Sequence, residues 1–280
     1  MNFLLPITAA ILQASSNSLD KFILGFRGIS YRTYISASFT LGFLVTLAIF
    51  FIFRPPIGLD LIYSSFLWLI LSISITIASN MFFYRALDHD KLSELRTLDL
   101  FTAIPIIIWS SILFQSERNP FIIFLAIVAT ISVFWSHYES KHFKFSKFTK
   151  TYFIFSLTIL PFGAIMSKIL LETWNPISLE LIRNGAFALI LMPLLSRSMT
   201  RITAHSFIFL CLTNILTTLA WLLYFFSVKY SGLTYTILIF SVEPLLVYIS
   251  AIVFFKEKLN KKKFAAFLLV LGSILAAQLI

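Results

Sequence analysis

The chain has 280 residues, of which 59% are hydrophobic, 17% aromatic and 12% charged, with a mean hydropathy of +0.93. Globular proteins average about 45–50% apolar and about 25% charged residues, so this composition excludes a soluble enzyme. The formal charge of +10 lies between long apolar runs instead of gathering with base-reading groups on one face, and no nucleic-acid partner is expected. The single cysteine, Cys211, excludes an internal disulfide and a paired-cysteine metal or redox site.

A helix crossing about 30 Å of hydrocarbon needs about 20 mostly apolar residues. Ten runs meet that need: 3–24, 32–53, 63–87, 95–115, 120–138, 151–171, 177–195, 206–228, 233–255 and 264–280. The first run lacks a basic leader and a small-residue cleavage site, so it is expected to stay in the mature protein. It places Gln13, Ser16, Asn17 and Asp20 at i, i+3, i+4 and i+7, one face of a helix. The second run is apolar almost all round. The third carries Ser72, Thr76, Ser79 and Asn80, and the fourth sets Asp99, Thr102 and Trp109 together. The fifth is again apolar. The sixth ends near Lys168, and the seventh holds Glu180 and Arg183, whose i, i+3 spacing predicts an ion pair. The eighth aligns Asn214, Thr217, Thr218, Trp221 and Tyr224; the ninth aligns Thr236, Phe240, Glu243, Val247 and Ser250. The tenth has no polar stripe. The runs are continuous, without the alternation of a membrane β-barrel, so the fold class is an all-α membrane protein.

Sixteen of the 22 Lys and Arg lie in or beside the odd-numbered loops; the others are Arg54, Arg118 and Lys229 in even loops and Lys21, Lys168 and Arg183 within runs. The positive-inside bias puts the odd loops in the cytoplasm and both termini outside.

The two halves repeat weakly at an offset of about 140–148 residues. Asp20 to Leu24 (DKFIL) matches Ser167 to Leu171 (SKILL), setting Lys21 against Lys168. Phe82 to Asp88 matches Leu223 to Lys229, and Ala103 to Arg118 matches Val242 to Lys258. Five spans per half is an odd number, so two such halves have opposite topologies, and a substrate site is expected near the midplane between them. The segment from Ser241 to Ala276 (SVEPLLVYISAIVFFKEKLNKKKFAAFLLVLGSILA) resembles the closing two helices of the EamA-like transporter family in the drug/metabolite transporter superfamily, with Glu243-Pro244 followed by an acidic-basic pair. The first half departs from this pattern: Ile104 precedes Pro105, and Pro105 to Glu117 is one residue shorter than Pro244 to Glu257. The resemblance implies two five-helix repeats, 1–140 and 141–280, and a carrier with both termini in the cytoplasm, opposite to the loop charges.

The runs contain or border on Asp20, Lys21, Asp99, Lys168, Glu180, Arg183 and Glu243, besides the arginines that flank the odd loops. At about 2.5–3.5 kcal/mol each at the bilayer centre, exposing them all to lipid would cost about 20 kcal/mol, above the typical net stability of about 5–15 kcal/mol. They are therefore expected inside the bundle, paired, or at the interface. Asn17, Asn80, Asn214, Trp221, Tyr224 and Lys168 are the candidate substrate-binding residues. Glu243 and Asp20 are the candidates for proton coupling, because burial raises a carboxylate pKa. The Ser, Thr and Asn stripes would equally serve as hydrogen-bonding glue between helices. Trp68, Trp135, Trp174, Tyr31, Tyr63 and Tyr138 fall near span ends, where an interfacial aromatic belt is expected. The four histidines show no pair at i, i+4, so neither a metal nor a cofactor is expected.

Together these features predict a secondary transporter in the cell (inner) membrane, monomeric or homodimeric. It would move a small organic metabolite or amino-acid-like compound, with export as the direction family analogy implies. The alternative is a polytopic enzyme acting on lipid or a lipid-linked substrate. That reading needs catalytic groups gathered at one membrane face, and the longest loop, 139–150, is basic and poor in carboxylates.

Overall fold

The computed structural model describes residues 3–24, 29–90, 92–137, 146–196, 203–255 and 261–279. Tyr138 with the basic segment 139–145, the stretch Lys256 to Lys258, and the side chains of Lys21 and Asp99 lie outside the described residues. The elements in order are α1 (Leu4–Leu24), α2 (Tyr31–Phe53), α3 (Leu59–His89), α4 (Leu92–Leu113), a 3₁₀ turn (Gln115–Glu117), α5 (Pro120–His137), α6 (Lys147–Thr158), α7 (Leu160–Thr173), α8 (Pro176–Ser196), α9 (Ala204–Ser231), α10 (Leu233–Phe240), α11 (Glu243–Phe255) and α12 (Lys261–Gln278). No strand occurs among the described residues.

Local chemistry sets the helix ends. Ser30, Ser146 and Thr203 accept hydrogen bonds from the backbone N–H groups of Thr33, Thr149 and Ser206 at 3.2–3.3 Å, opening α2, α6 and α9. Asn119 and Asn175 cap α5 and α8 in the same way, ahead of Pro120 and Pro176 at the first helical position, where a missing N–H costs nothing. Two of the ten apolar runs are broken. The run at 151–171 is α6 and α7, bent by 43°, and the run at 233–255 is α10 and α11. Pro161 and Pro244 account for the breaks: each removes a backbone donor and crowds the carbonyl four residues earlier, at Leu157 and Phe240. Helices α2, α3 and α9, and the α6–α7 pair taken as one span, are long and apolar enough to cross a membrane.

The closest packing joins helices from opposite halves: α1 on α9, α2 on α8 and α5 on α12. Helix α3 lies against α6 and α7, and α4 meets α10 and α11. Trp174, Leu179, Leu238 and Ile239 are fully buried, while Phe51, Ile52, Leu67, Phe124 and Leu189 stand exposed on the outside. Ser16, Ser36, Thr46, Thr149 and Thr236 are buried as well, so hydroxyls are turned inward while large apolar side chains cover the outside. Such a surface requires a hydrocarbon solvent.

Two expectations are corrected at this level. Trp174 is no belt residue: it is fully buried at the α7–α8 corner, its Nε1 donating to Ser65 at 3.1 Å. The second run, apolar by sequence, packs inward as α2 and buries Tyr34, Ser36 and Thr46.

Candidate functional site

A cavity of about 390 Å³ opens between the helices and takes side chains from α1 to α4 and from α6 to α11; α5 and α12 contribute no described residue. That volume falls in the range of small-molecule sites. All five spans with polar or aromatic stripes converge on it: Gln13 from α1, Thr76 and Asn80 from α3, Thr102 from α4, Asn214 and Trp221 from α9, and Phe240 and Glu243 from α10 and α11. Helix α2 adds Tyr34, Ser38 and Phe39, and the start of α11 also adds Pro244.

Of the candidate substrate-binding residues, Asn80, Asn214, Trp221 and Tyr224 line this space. Asn214 donates to the Leu210 carbonyl at 2.7 Å and to Ser38 at 3.4 Å across the α2 interface. Asn80 donates back to the Thr76 carbonyl at 2.9 Å. Trp221 and Tyr224 meet at 5.3 Å between ring centroids, and Tyr224 meets Phe240 edge-on at 5.2 Å, forming one aromatic wall.

Asn17 stands behind the lining. Gln13 donates to its Oδ1 at 3.1 Å, and its own Nδ2 donates to Glu243 Oε1, so Asn17 links two lining residues from behind. Asp20 also lies outside the lining, buried to 3% exposure. It accepts from the Tyr34 hydroxyl, from Thr213 at 2.6 Å and from Tyr84 at 3.2 Å, tying the end of α1 to α2, α3 and α9.

Lys168 does not reach the cavity. Its ammonium is paired with Glu117 and sits 4.7 Å from the Phe114 ring centroid. Glu117 also accepts from the backbone N–H groups of Leu233 and Thr234 at 2.7 and 2.9 Å, at the start of α10. Charge pairing thus holds Lys168 in an end clasp, away from the position expected of a substrate contact. At the same end Lys229 donates to the Trp174 carbonyl at 2.7 Å and Ser178 to the Pro56 carbonyl at 3.0 Å. The cavity therefore lies between two polar clusters, Asp20 with Tyr34, Tyr84 and Thr213 at one end and Glu117 with Lys168 at the other.

The expected Glu180–Arg183 ion pair is not formed. Glu180 accepts from Asn184 at 3.2 Å, and Arg183 donates to Thr76 at 2.9 Å and Ser167 at 3.5 Å. The interhelical hydroxyls of α3 and α7 capture the guanidinium, which an i, i+3 spacing cannot reveal. Glu117, Tyr34 and Tyr84 were missed by reading the runs alone. Glu117 was visible only as the acid of the acidic-basic pair closing the fourth run, and the tyrosines only as aromatic residues near span ends.

Residues 149–277 match the EamA-like transporter family. A solved structure described only as "Crystal structure of protein" superimposes with a TM-score of 0.75 at 14% identity, over 99% of this chain and 96% of that one, which establishes a shared fold. No curated protein matches at a significant level.

Proposed function

We infer, from the premise that residues 149–277 belong to the EamA-like transporter family, that the chain is a multi-pass secondary transporter of the cell membrane. It moves a small organic, amino-acid-like solute by alternating access, with export as the working direction. The ten spans form two inverted five-helix repeats, 1–140 and 141–280. The packing partners support this reading. With α6–α7 counted as span 6 and α10–α11 as span 9, exchanging each span for the one five places on converts the 1–8 contact into the 6–3 contact. It returns the 2–7, 4–9 and 5–10 contacts to themselves. That is the exchange expected of two repeated halves related by a two-fold axis.

The observation that carries the proposal is the position of the cavity between clusters at opposite ends. Releasing the Glu117 cluster opens one path and releasing the Asp20 cluster opens the other, and a carrier needs the two to open alternately. Asn80, Asn214, Trp221 and Tyr224 contact the solute. Asn17 positions Glu243, and Glu243 and Asp20 exchange protons. Lys168 acts in the clasp. Counterflow of labelled solutes into proteoliposomes tests the function: wild type exchanges solute and Trp221→Ala, folded by its melting profile, exchanges at least tenfold more slowly. Equal exchange in both would overturn the cavity assignment.

A further inference from the structure

Arg183 is 6% exposed, deep in the bundle, and lines the cavity. A guanidinium is charged at all accessible pH and carries five N–H donors. One goes to Thr76 and one to Ser167. The Phe225 and Phe187 rings lie 5.2 and 6.0 Å from the guanidinium carbon, so apolar π faces flank it. Its Nε is buried without a hydrogen-bond partner among the described residues. Leaving a charged donor buried and unsatisfied is costly, so a group that arrives with the solute must complete it. Two more lining residues, Gln13 and Thr102, hold buried oxygens in the same condition. The lining residues thus hold one cationic donor and one amide acceptor, each buried and without a partner among the described residues.

We propose that Arg183 is the anion subsite of the carrier, its Nε edge taking a carboxylate of the transported solute, while Gln13 Oε1 takes an amino or hydroxyl donor of the same molecule. A planar carboxylate matches the Nε/Nη edge of a guanidinium with two parallel hydrogen bonds. Phosphate is the poorer fit, because Glu180 and Glu243 share the lining and a dianion would meet two carboxylates against a single guanidinium. This subsite deepens the transporter reading and rests on it for its role, though its binding chemistry is measurable separately.

Purified wild-type protein is titrated with alanine, leucine and tryptophan, and with ethylamine, isopentylamine and tryptamine, the same bodies without the carboxylate. At least one acid should bind about tenfold or more tightly than its amine. The Arg183→Gln variant should lose that ratio, and Arg183→Lys should restore part of it, since a point charge keeps attraction but not the fork. The ratio, not the melting temperature, is the readout, because losing the Thr76 and Ser167 bonds lowers stability by itself. Amines binding as tightly as acids in wild type, no acid binding at all, glycerol 2-phosphate binding more tightly than every acid, or an unchanged ratio in Arg183→Gln each overturns the subsite. Carboxylate-dependent binding without counterflow of any solute leaves the subsite standing and overturns the transport reading instead; counterflow of amines alone does the reverse.

Discussion

Asn17 on α1 donates a hydrogen bond to Glu243 at the start of α11, joining helices 226 residues apart in sequence. The contact places the carboxylate beside the break made by Pro244. If protonation of Glu243 drives transport, Glu243→Gln will keep counterflow and lose uphill transport driven by a pH gradient. Proteoliposomes with and without an imposed gradient measure both. Unchanged rate and pH dependence would remove Glu243 from coupling.

The Glu117 clasp is tested by a mutant cycle. Lys168→Met leaves a buried carboxylate without its cation, and breaking a buried pair costs about 3–5 kcal/mol. The double variant with Glu117→Gln removes the uncompensated charge and should recover part of that loss. Melting in detergent, followed by intrinsic fluorescence, gives the coupling. Strict additivity would mean that the pair contributes nothing of its own.

Gly232 opens α10 with φ +91°, and an added Cβ would stand 2.8 Å from Glu117 Oε1. Gly232→Ala combines backbone strain of about 1–3 kcal/mol with displacement of the clasp carboxylate. Gly272, inside α12 with nothing within 4 Å of its added Cβ, is the control. Gly272→Ala should be neutral or stabilising by up to about 1 kcal/mol. Gly232→Ala should melt below the wild-type temperature and Gly272→Ala at or above it.

Asp90 follows α3, outside the spans, and accepts from the Ser146 backbone at 3.2 Å and from the Thr149 hydroxyl at the start of α6. Burial works against its charge, but the bonds from Thr149 and Ser146 outweigh it, with His89 adding a smaller pull, and its pKa is held below the ordinary carboxylate value. A depressed native pKa stabilises the fold above the unfolded-state pKa and is lost as pH falls through the native one. The melting temperature of wild type should therefore exceed that of Asp90→Asn at pH 7, and the gap should close in the acid range below about pH 4. A gap that widens on acidification would contradict the assignment.

The helical class and the polar faces of α1, α3 and α9 were legible in the sequence because periodicity is a local property: Gln13, Asn17 and Asp20 fall on one face whatever surrounds them. Their partners were not legible. Nothing in the spacing of α8 says that Thr76 and Ser167 will take Arg183 from Glu180, because that choice is made by one helix over 100 residues away and by one adjacent. Nor did Trp174 look different from Trp135, although one is buried against Ser65 and the other is exposed, since both sit near the end of an apolar run. The inward turn of α2 stayed hidden for a related reason: a helix in lipid can carry apolar residues on every face, so hydrophobicity alone does not mark its buried side.

Asp20 draws hydrogen bonds from Tyr34 and Tyr84 but also from Thr213, and Ser16 pairs with Thr213 at 2.8 Å. The last donor is synthesised 193 residues after the carboxylate it serves. At about 5–20 residues per second the ribosome needs roughly 10–40 s to cover that distance. During that interval the first helix must wait at the membrane with a half-satisfied acid. Biogenesis therefore bears on Asp20: Asp20→Asn removes the charge that has to wait, and its nascent chain should be degraded less by membrane proteases than the wild-type chain, even where the finished protein is less stable.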